Sequence, residues 1–370
     1  MNRKRLTDEF SRLAAFDSES YHEKGTAGYL FEKLRSLGLY VTMDDAGKLI
    51  GSGPDGAGNI YGFLKGNSEG ESLLFSAHMD TVSPGKGKKP VFHEDGTVTS
   101  DGTTVLGADD ITGIAAILEL LQVIQEDGLS HPDIEVVFFV AEEPYGRGSS
   151  VFDYSKIRSK TAYVLDLDGS VGTIANRAPT ILQFRAEVTG KSAHAGFEPE
   201  KGISAIAALS KAVSELKLGR IDEETTANVG TIGGGTGKNI VPGSAYAEGE
   251  VRSLSDEKAW DLAEKIGKTF TKAAEEQGAK AAFTAKEMVH AYSVEEDAPV
   301  IKRYAKAMEE LGFEKPRIIT TFGGSDNNNL SLHGISGIVV ANAMNHVHTT
   351  QEYFSLDELE KSTKILLKLL

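Results

Sequence analysis

Residues 73–80 read L-L-F-S-A-H-M-D, and they decide the fold. Leu73 to Ala77 is an apolar run of the length of a buried strand, and it leads straight into His78, Met79 and Asp80. The same arrangement recurs along the chain. Ile134 to Ala141 leads into Glu142 and Glu143, Ala162 to Leu165 into Asp166 and Asp168, and Ile335 to Ala341 is followed by His346 and His348. Between the first two runs, Asp110 to Gln125 has helical spacing, with Asp109 and Asp110 at its start. Buried strands alternating with helices predict an α/β fold with a mostly parallel sheet. The carboxyl ends of the strands in such a sheet line the ligand crevice, so residues placed there converge in space although they are far apart in sequence.

Working outward, residues 7–15 and 23–37 have helical periodicity, the second ending at Gly38, and Ile60 to Leu64 is a further short strand. Between 177 and 290 the rhythm changes. Strand (180–189), helix (202–217), strand (226–232), strand (244–252), helix (255–276) and strand (279–289) give the order β-α-β-β-α-β. That is a ferredoxin-like unit, with one helix layer on a four-stranded sheet, and we read it as an inserted domain. Pro299 to Leu311, Arg317 to Thr321, Ile335 to Ala341 and Leu356 to Leu370 lack a core of their own, so they are expected to return to the first sheet. The expected domains are 1–176 with 291–370, and 177–290.

Composition narrows the chemistry. At roughly 150 residues per domain, 370 residues make about two and a half domains, enough for sizeable cores. The chain has no cysteine, which excludes disulfides, thiolate metal sites and a cysteine nucleophile. A formal charge of -15 repels phosphate backbones and anionic lipid, so neither nucleic acid nor membrane is an expected partner. The first 16 residues carry Thr7, Asp8, Glu9 and Ser11 where a signal peptide needs an apolar stretch, and no run reaches the roughly 18 apolar residues of a spanning helix. The expected location is the cytoplasm.

Three apparent motifs fail on context. Gly51, Gly53 and Gly56 have dinucleotide-fingerprint spacing, but Pro54 interrupts them and a strand follows where a helix is needed. Gly230 to Lys238 departs from the phosphate-loop pattern at Ile232 and at Asn239. His22 and Glu23 begin a zinc-helix motif that Thr26 breaks.

Each acidic or histidine residue at the strand ends has an ordinary explanation by itself, as a loop residue, a helix cap or an Asx turn. Together they do not. Carboxylates gathered at one sheet edge repel and shift one another's pKa values unless cations neutralise them. A sulfur-free His and carboxylate set suits zinc, cobalt or manganese, and a bridging carboxylate suits two ions.

The strings S-A-H-M-D-T-V (Ser76 to Val82), L-G-A-D-D (Leu106 to Asp110), A-E-E-P-Y-G-R-G-S (Ala141 to Ser149), Y-V-L-D (Tyr163 to Asp166) and H-T-T-Q-E-Y (His348 to Tyr353) resemble the M20 family of di-metal peptidases. The similarity is greatest to its peptidase T-like, tripeptide aminopeptidase branch, and it spans nearly the whole chain in family order. The resemblance implies a catalytic zinc-peptidase-like domain and an inserted lid that serves dimerisation. It implies two divalent ions, zinc or else cobalt or manganese, with His78, Asp109 and Asp166 around one, Asp109, Glu143 and His348 around the other, and Asp109 bridging. Asp80 would accept the free ring N–H of His78. Glu142 would be the general base toward a water held between the ions. Asp168 stands as an alternative to Asp166, and His346 to His348, the spacing to Glu352 favouring His348. In the lid, His194 of K-S-A-H-A-G would polarise the substrate carbonyl, often across a dimer interface, and Asn239 and Arg252 resemble substrate-contacting positions. Gly323, Gly324, Ser325 and Asp326 look like the family's cleft-lining loop. The implied activity is release of the N-terminal residue from small peptides, tripeptides above all; a carboxypeptidase, dipeptidase or N-acyl amino acid deacylase on the same core is the alternative, and a catalytically silent binding protein is the alternative from another class.

Overall fold

The computed structural model describes all 370 residues, and the chain divides into two compact units. The first comprises Met1–Arg177, Ser293–Thr321 and Ser325–Leu370; the second comprises Ala178–Tyr292 and Phe322–Gly324. No helix is long and apolar enough to cross a membrane.

The first unit is built on a nine-stranded sheet. Its centre is parallel: Leu73–His78 lies between Ile134–Phe139 and Thr161–Leu167, and Ser336–Ala341 runs parallel to Thr161–Leu167 on the far side. The C-terminal segment therefore returns to the first sheet. Antiparallel neighbours flank this centre, with Tyr40–Met43 and Ile60–Leu64 on one side and Thr173–Ala178 on the other. The central strands are apolar on both faces because helices cover both. Leu73, Leu74 and Phe75 are fully buried, each worth roughly 1.5–3 kcal/mol relative to exposure. The helix Ala108–Asp127 packs on Leu73–His78 and is buried around most of its circumference, with the helices Arg3–Ala14 and Leu356–Lys368 against it.

The register fixes where chemistry can occur. His78 pairs with Phe139 and Ser76 with Val164, so the carboxyl ends of these three strands, and the loops that leave them, lie together.

The second unit is an antiparallel sheet in the order Gly219–Arg220, Thr225–Gly234, Ser244–Ser253, Thr180–Thr189, Lys280–Val289, one short edge strand more than the four expected. Leu182, Phe184, Ala186 and Val188 alternate along Thr180–Thr189 into one core with Leu209, Ile266 and Phe270 from the helices Ala205–Glu215 and Asp256–Glu276. Period-two and helical patterns meeting in one cluster give the β-α-β-β-α-β unit its single helix layer.

Candidate metal centre

Strand ends and one helix start deliver the site. His78 is the last residue of its strand and Asp166 lies near the end of Thr161–Leu167. Glu142 and Glu143 follow Ile134–Phe139 after Ala141, whose φ of 48° is left-handed, and His348 has a φ of 63°. Such conformations cost non-glycine residues about 1–3 kcal/mol and persist where packing over-determines them. Asp109 stands in the first turn of Ala108–Asp127 but with φ -84° and ψ 103°, so its side chain leaves the helix path.

The side chains form two three-ligand groups that share Asp109. His78, Asp109 and Asp166 make one; Asp109, Glu143 and His348 make the other. Asp109 Oδ1 is 3.0 Å from His78 Nε2, and Oδ2 is 3.1 Å from His348 Nε2. His78 Nε2 is 3.8 Å from Asp166 Oδ1, and His348 Nε2 is 3.0 Å from Glu143 Oε2. Donors about 2.0–2.2 Å from a tetrahedral zinc ion stand roughly 3.3–3.6 Å apart, so these spacings suit shared coordination shells. Of the competing positions, Asp168 is exposed outside both groups, and His346 packs edge-on against Tyr353.

The electrostatics call for cations. Burial, with Glu142 and Asp109 nearby, pushes Asp166 well above the usual carboxylate range, and burial with Asp109 pushes up Glu143. Burial also raises Glu142 well above its ordinary value, opposed by His78 and reinforced by Asp326, Glu143 and Asp80. Asp109 is buried too, yet the hydrogen bonds of His348 and His78 hold it low. Hydrogen bonds to Asp109 and Glu143 raise His348 to about 10. Glu143 Oε1 is buried without a hydrogen-bond partner. An orphaned carboxylate oxygen within a cluster of mutually repelling acids and two imidazoles fits a site for two divalent ions.

The supporting groups are ordered from behind. His78 Nδ1 lies 2.9 Å from the Asp80 main-chain carbonyl and 3.4 Å from Asp80 Oδ1, so the carbonyl is the nearer acceptor for the ring N–H. The Asp80 carboxylate instead accepts the N–H groups of Glu142 at 2.9 Å and Glu143 at 3.2 Å, and the Ser20 hydroxyl at 2.7 Å. Sequence reasoning missed Ser20 and Glu23. Glu23 is buried and accepts the N–H of Ala141 at 3.0 Å, immediately before the paired glutamates. Its only sequence signal was the broken zinc-helix motif.

The remaining predicted residues divide between the units. In the second, His194 is exposed, and its Nδ1 accepts from the N–H groups of Gly196 and Phe197, which leaves the ring proton of the neutral form on Nε2. Asn239 is exposed, its carbonyl accepting from Ala195 N–H. Arg252 is gripped by Glu250 through Nε and Nη2 at 2.8 and 3.0 Å and donates Nη1 to the Phe322 carbonyl. Gly324 packs near Val289, where an added Cβ would come within 3.2 Å. In the first unit, Ser325 is buried and caps the helix Asp326–Leu332, accepting from Asn327 N–H. The loop expected from Gly323 to Asp326 ends at this cap, and no sequence signal marks the helix beyond it, because three successive asparagines disguise a helix held by its capping box.

A third His and carboxylate grouping, Asp256, Glu287 and His290, lies partly exposed in the second unit, where Asp256 accepts from Thr180 and Glu287 from Trp260.

Comparison with known proteins places this geometry. The M20 peptidase dimerisation domain matches residues 178–278, and the peptidase family M28 matches residues 59–214. The structure of aminopeptidase PepT from Bacillus cereus is similar at 38% identity and a TM-score of 0.91, covering 100% of this chain and 98% of that one. A tripeptidase from Staphylococcus aureus is similar at 34% identity and a TM-score of 0.94, with the same coverage. The uncharacterized protein YqjE of Bacillus subtilis is 40% identical over 100% of this chain and 98% of its own.

Proposed function

Because the chain belongs to the M20 peptidase family, in its peptidase T-like branch, we propose that it is a di-metal aminopeptidase that releases the N-terminal residue of tripeptides. The observation that carries the reading is the pair of three-ligand groups sharing Asp109, with the buried Glu142 beside them. The names of the similar B. cereus and S. aureus enzymes support the substrate class. The matched dimerisation domain supports a homodimer formed through the second unit.

His78, Asp109, Asp166, Glu143 and His348 would hold the ions. When bound, two zinc ions, or cobalt or manganese in their place, supply Lewis acidity for the scissile carbonyl and lower the pKa of water. Glu142 takes a proton from the attacking water as the water oxygen adds to the carbonyl carbon. It returns that proton to the amine nitrogen as the C–N bond breaks. The upward push on Glu142 suits the second half of this cycle, in which it acts as an acid. Positive charge among the ligands favours the carboxylate needed for the first half.

In the second unit, the Nε2–H of His194 and the amide of Asn239 are donors suited to a peptide carbonyl. Arg252 is already held by Glu250, which speaks against its serving as a free clamp on a substrate carboxylate. We assign it instead to holding the Phe322 carbonyl, and so the backbone leading into Gly324, for substrate contact.

The reading is tested with tripeptides that are free, N-acetylated or C-amidated, before and after chelation. Turnover that needs the free amine, disappears on chelation and returns with zinc, cobalt or manganese supports it. Turnover of the N-acetylated peptide refutes the aminopeptidase assignment and favours a carboxypeptidase or deacylase.

A further inference from the structure

The bridging position of Asp109 is held by a residue outside the ligand set. The segment Leu106–Asp109 opens the helix Ala108–Asp127, but Gly107 is left-handed at φ 76° and Asp109 is non-helical, so ordinary helix geometry does not fix it. Its N–H groups converge on one carboxylate. Glu352 Oε2 accepts from Leu106 N–H at 2.7 Å and Gly107 N–H at 2.8 Å, and Oε1 accepts from Asp109 N–H at 2.9 Å. Glu352 is 1% exposed. It lies four residues after His348, in a turn where its own N–H donates to the Thr349 carbonyl. One carboxylate thus ties the segment that carries His348 to the loop that carries Asp109, and Asp109 Oδ2 and His348 Nε2 meet at 3.1 Å on the other side.

We propose that Glu352 is a positioning residue for the di-metal centre, fixing the backbone of Asp109 so that its two carboxylate oxygens face the two ligand groups at once. This rests on the di-metal reading above. Asp109 has no slack, because Oδ1 faces His78 while Oδ2 faces His348. A small rotation of the loop would take one oxygen out of its group. All three partners of Glu352 are donors, so glutamine cannot replace it: either orientation sets an NH2 against at least one backbone N–H.

The test is calorimetric titration of the metal-stripped full-length protein with Zn²⁺, comparing wild type, Glu352→Gln and Glu352→Asp, alongside thermal unfolding of each metal-free protein. Wild type is expected to take up two ions. Glu352→Gln is expected to bind at least one of them tenfold or more weakly, in the range seen when residues that orient metal ligands are lost. Added metal should restore part of its tripeptide turnover with KM little changed. A purely structural role would instead lower the unfolding temperature of the metal-free protein and leave Zn²⁺ affinity intact, and that result overturns the proposal. If Glu352→Gln does not fold, Glu352→Asp decides: its shortened carboxylate should weaken Zn²⁺ binding, and wild-type affinity there overturns the proposal. Wild type failing to bind two ions would defeat the di-metal reading itself, which a difference confined to the variants cannot do.

Discussion

Replacing Asp80 by asparagine separates the holding of the base from the holding of a ligand. The Asp80 carboxylate is completely buried and receives three hydrogen bonds, Glu142 N–H on Oδ1 and Glu143 N–H and Ser20 Oγ–H on Oδ2. Asparagine must present NH2 at one of these oxygens. With NH2 in place of Oδ1, Glu142 N–H loses its acceptor. With NH2 in place of Oδ2, Glu143 N–H loses its acceptor, but the Ser20 hydroxyl can rotate and accept, so this orientation is the cheaper. A buried N–H left unpaired costs about 1–3 kcal/mol, which is roughly 5- to 150-fold in an equilibrium constant. The cost then falls on the segment carrying Glu143, a predicted ligand, while Glu142 keeps its support. The expected result for Asp80→Asn is a loss of metal affinity of about tenfold, with turnover largely recovered at saturating metal. Asp80→Ala removes both acceptors and should not recover. The assay is tripeptide turnover as a function of free Zn²⁺ or Mn²⁺, with calorimetric affinity measured in parallel. Wild-type affinity and turnover in Asp80→Asn would refute the reasoning, because the three hydrogen bonds would then carry no functional weight.

Glu142→Gln should retain both ions by elemental analysis yet lose about 10²- to 10⁴-fold in kcat, since the amide can neither take nor return the proton; near-wild-type turnover would remove Glu142 from the mechanism. Glu23 gives a pH signature. Burial and the Asp80 charge push its carboxyl from the usual 4.5 to about 7. The folded, metal-free protein therefore keeps a proton that the unfolded chain releases, and this contribution to stability is present below pH 4.5 and lost as the pH rises to 7. The loss is at most about 3 kcal/mol at 1.36 kcal/mol per pH unit. Glu23→Gln cannot titrate, so its denaturant stability relative to wild type should rise between pH 5 and 8; parallel pH profiles would contradict the assignment.

Much of this architecture was legible because the two periodicities are clean. Ile60–Leu64 and Thr180–Thr189 have the bounds that the apolar runs predict, and the inserted β-α-β-β-α-β order appears strand by strand. Elements that lack a periodic apolar signal were missed. Tyr40–Met43 is an edge strand with Tyr40 exposed, and Asp326–Leu332 is a helix written in asparagines. At the site, strand-end placement nominated residues that the structure brings together. It could not predict that Asp80 presents its main-chain oxygen to His78 more closely than its carboxylate, because that choice is made by the N–H groups of Glu142 and Glu143 arriving from another strand.

The same difficulty explains why a sequence so rich in acids near its strand ends does not sort them. The segments that carry His78, Asp109 and the Glu142–Glu143 pair are each held by a buried carboxylate. Asp110 accepts His78 N–H, Asp80 accepts from Glu142 and Glu143, Glu23 accepts Ala141 N–H, and Glu352 accepts from the loop of Asp109. Backbone donors in irregular loops need acceptors when buried, and a carboxylate satisfies two or three at once. The site therefore has two classes of acid with opposite requirements. The predicted ligands direct their charge at one another and need cations, whereas the holders spend theirs on N–H groups. Residue type and spacing are the same for both, since Asp109 and Asp110 are adjacent and fall in different classes. Only the direction of the side chain separates them: Asp109 turns to the two histidines, and Asp110 turns back to the backbone of His78 and Gly113.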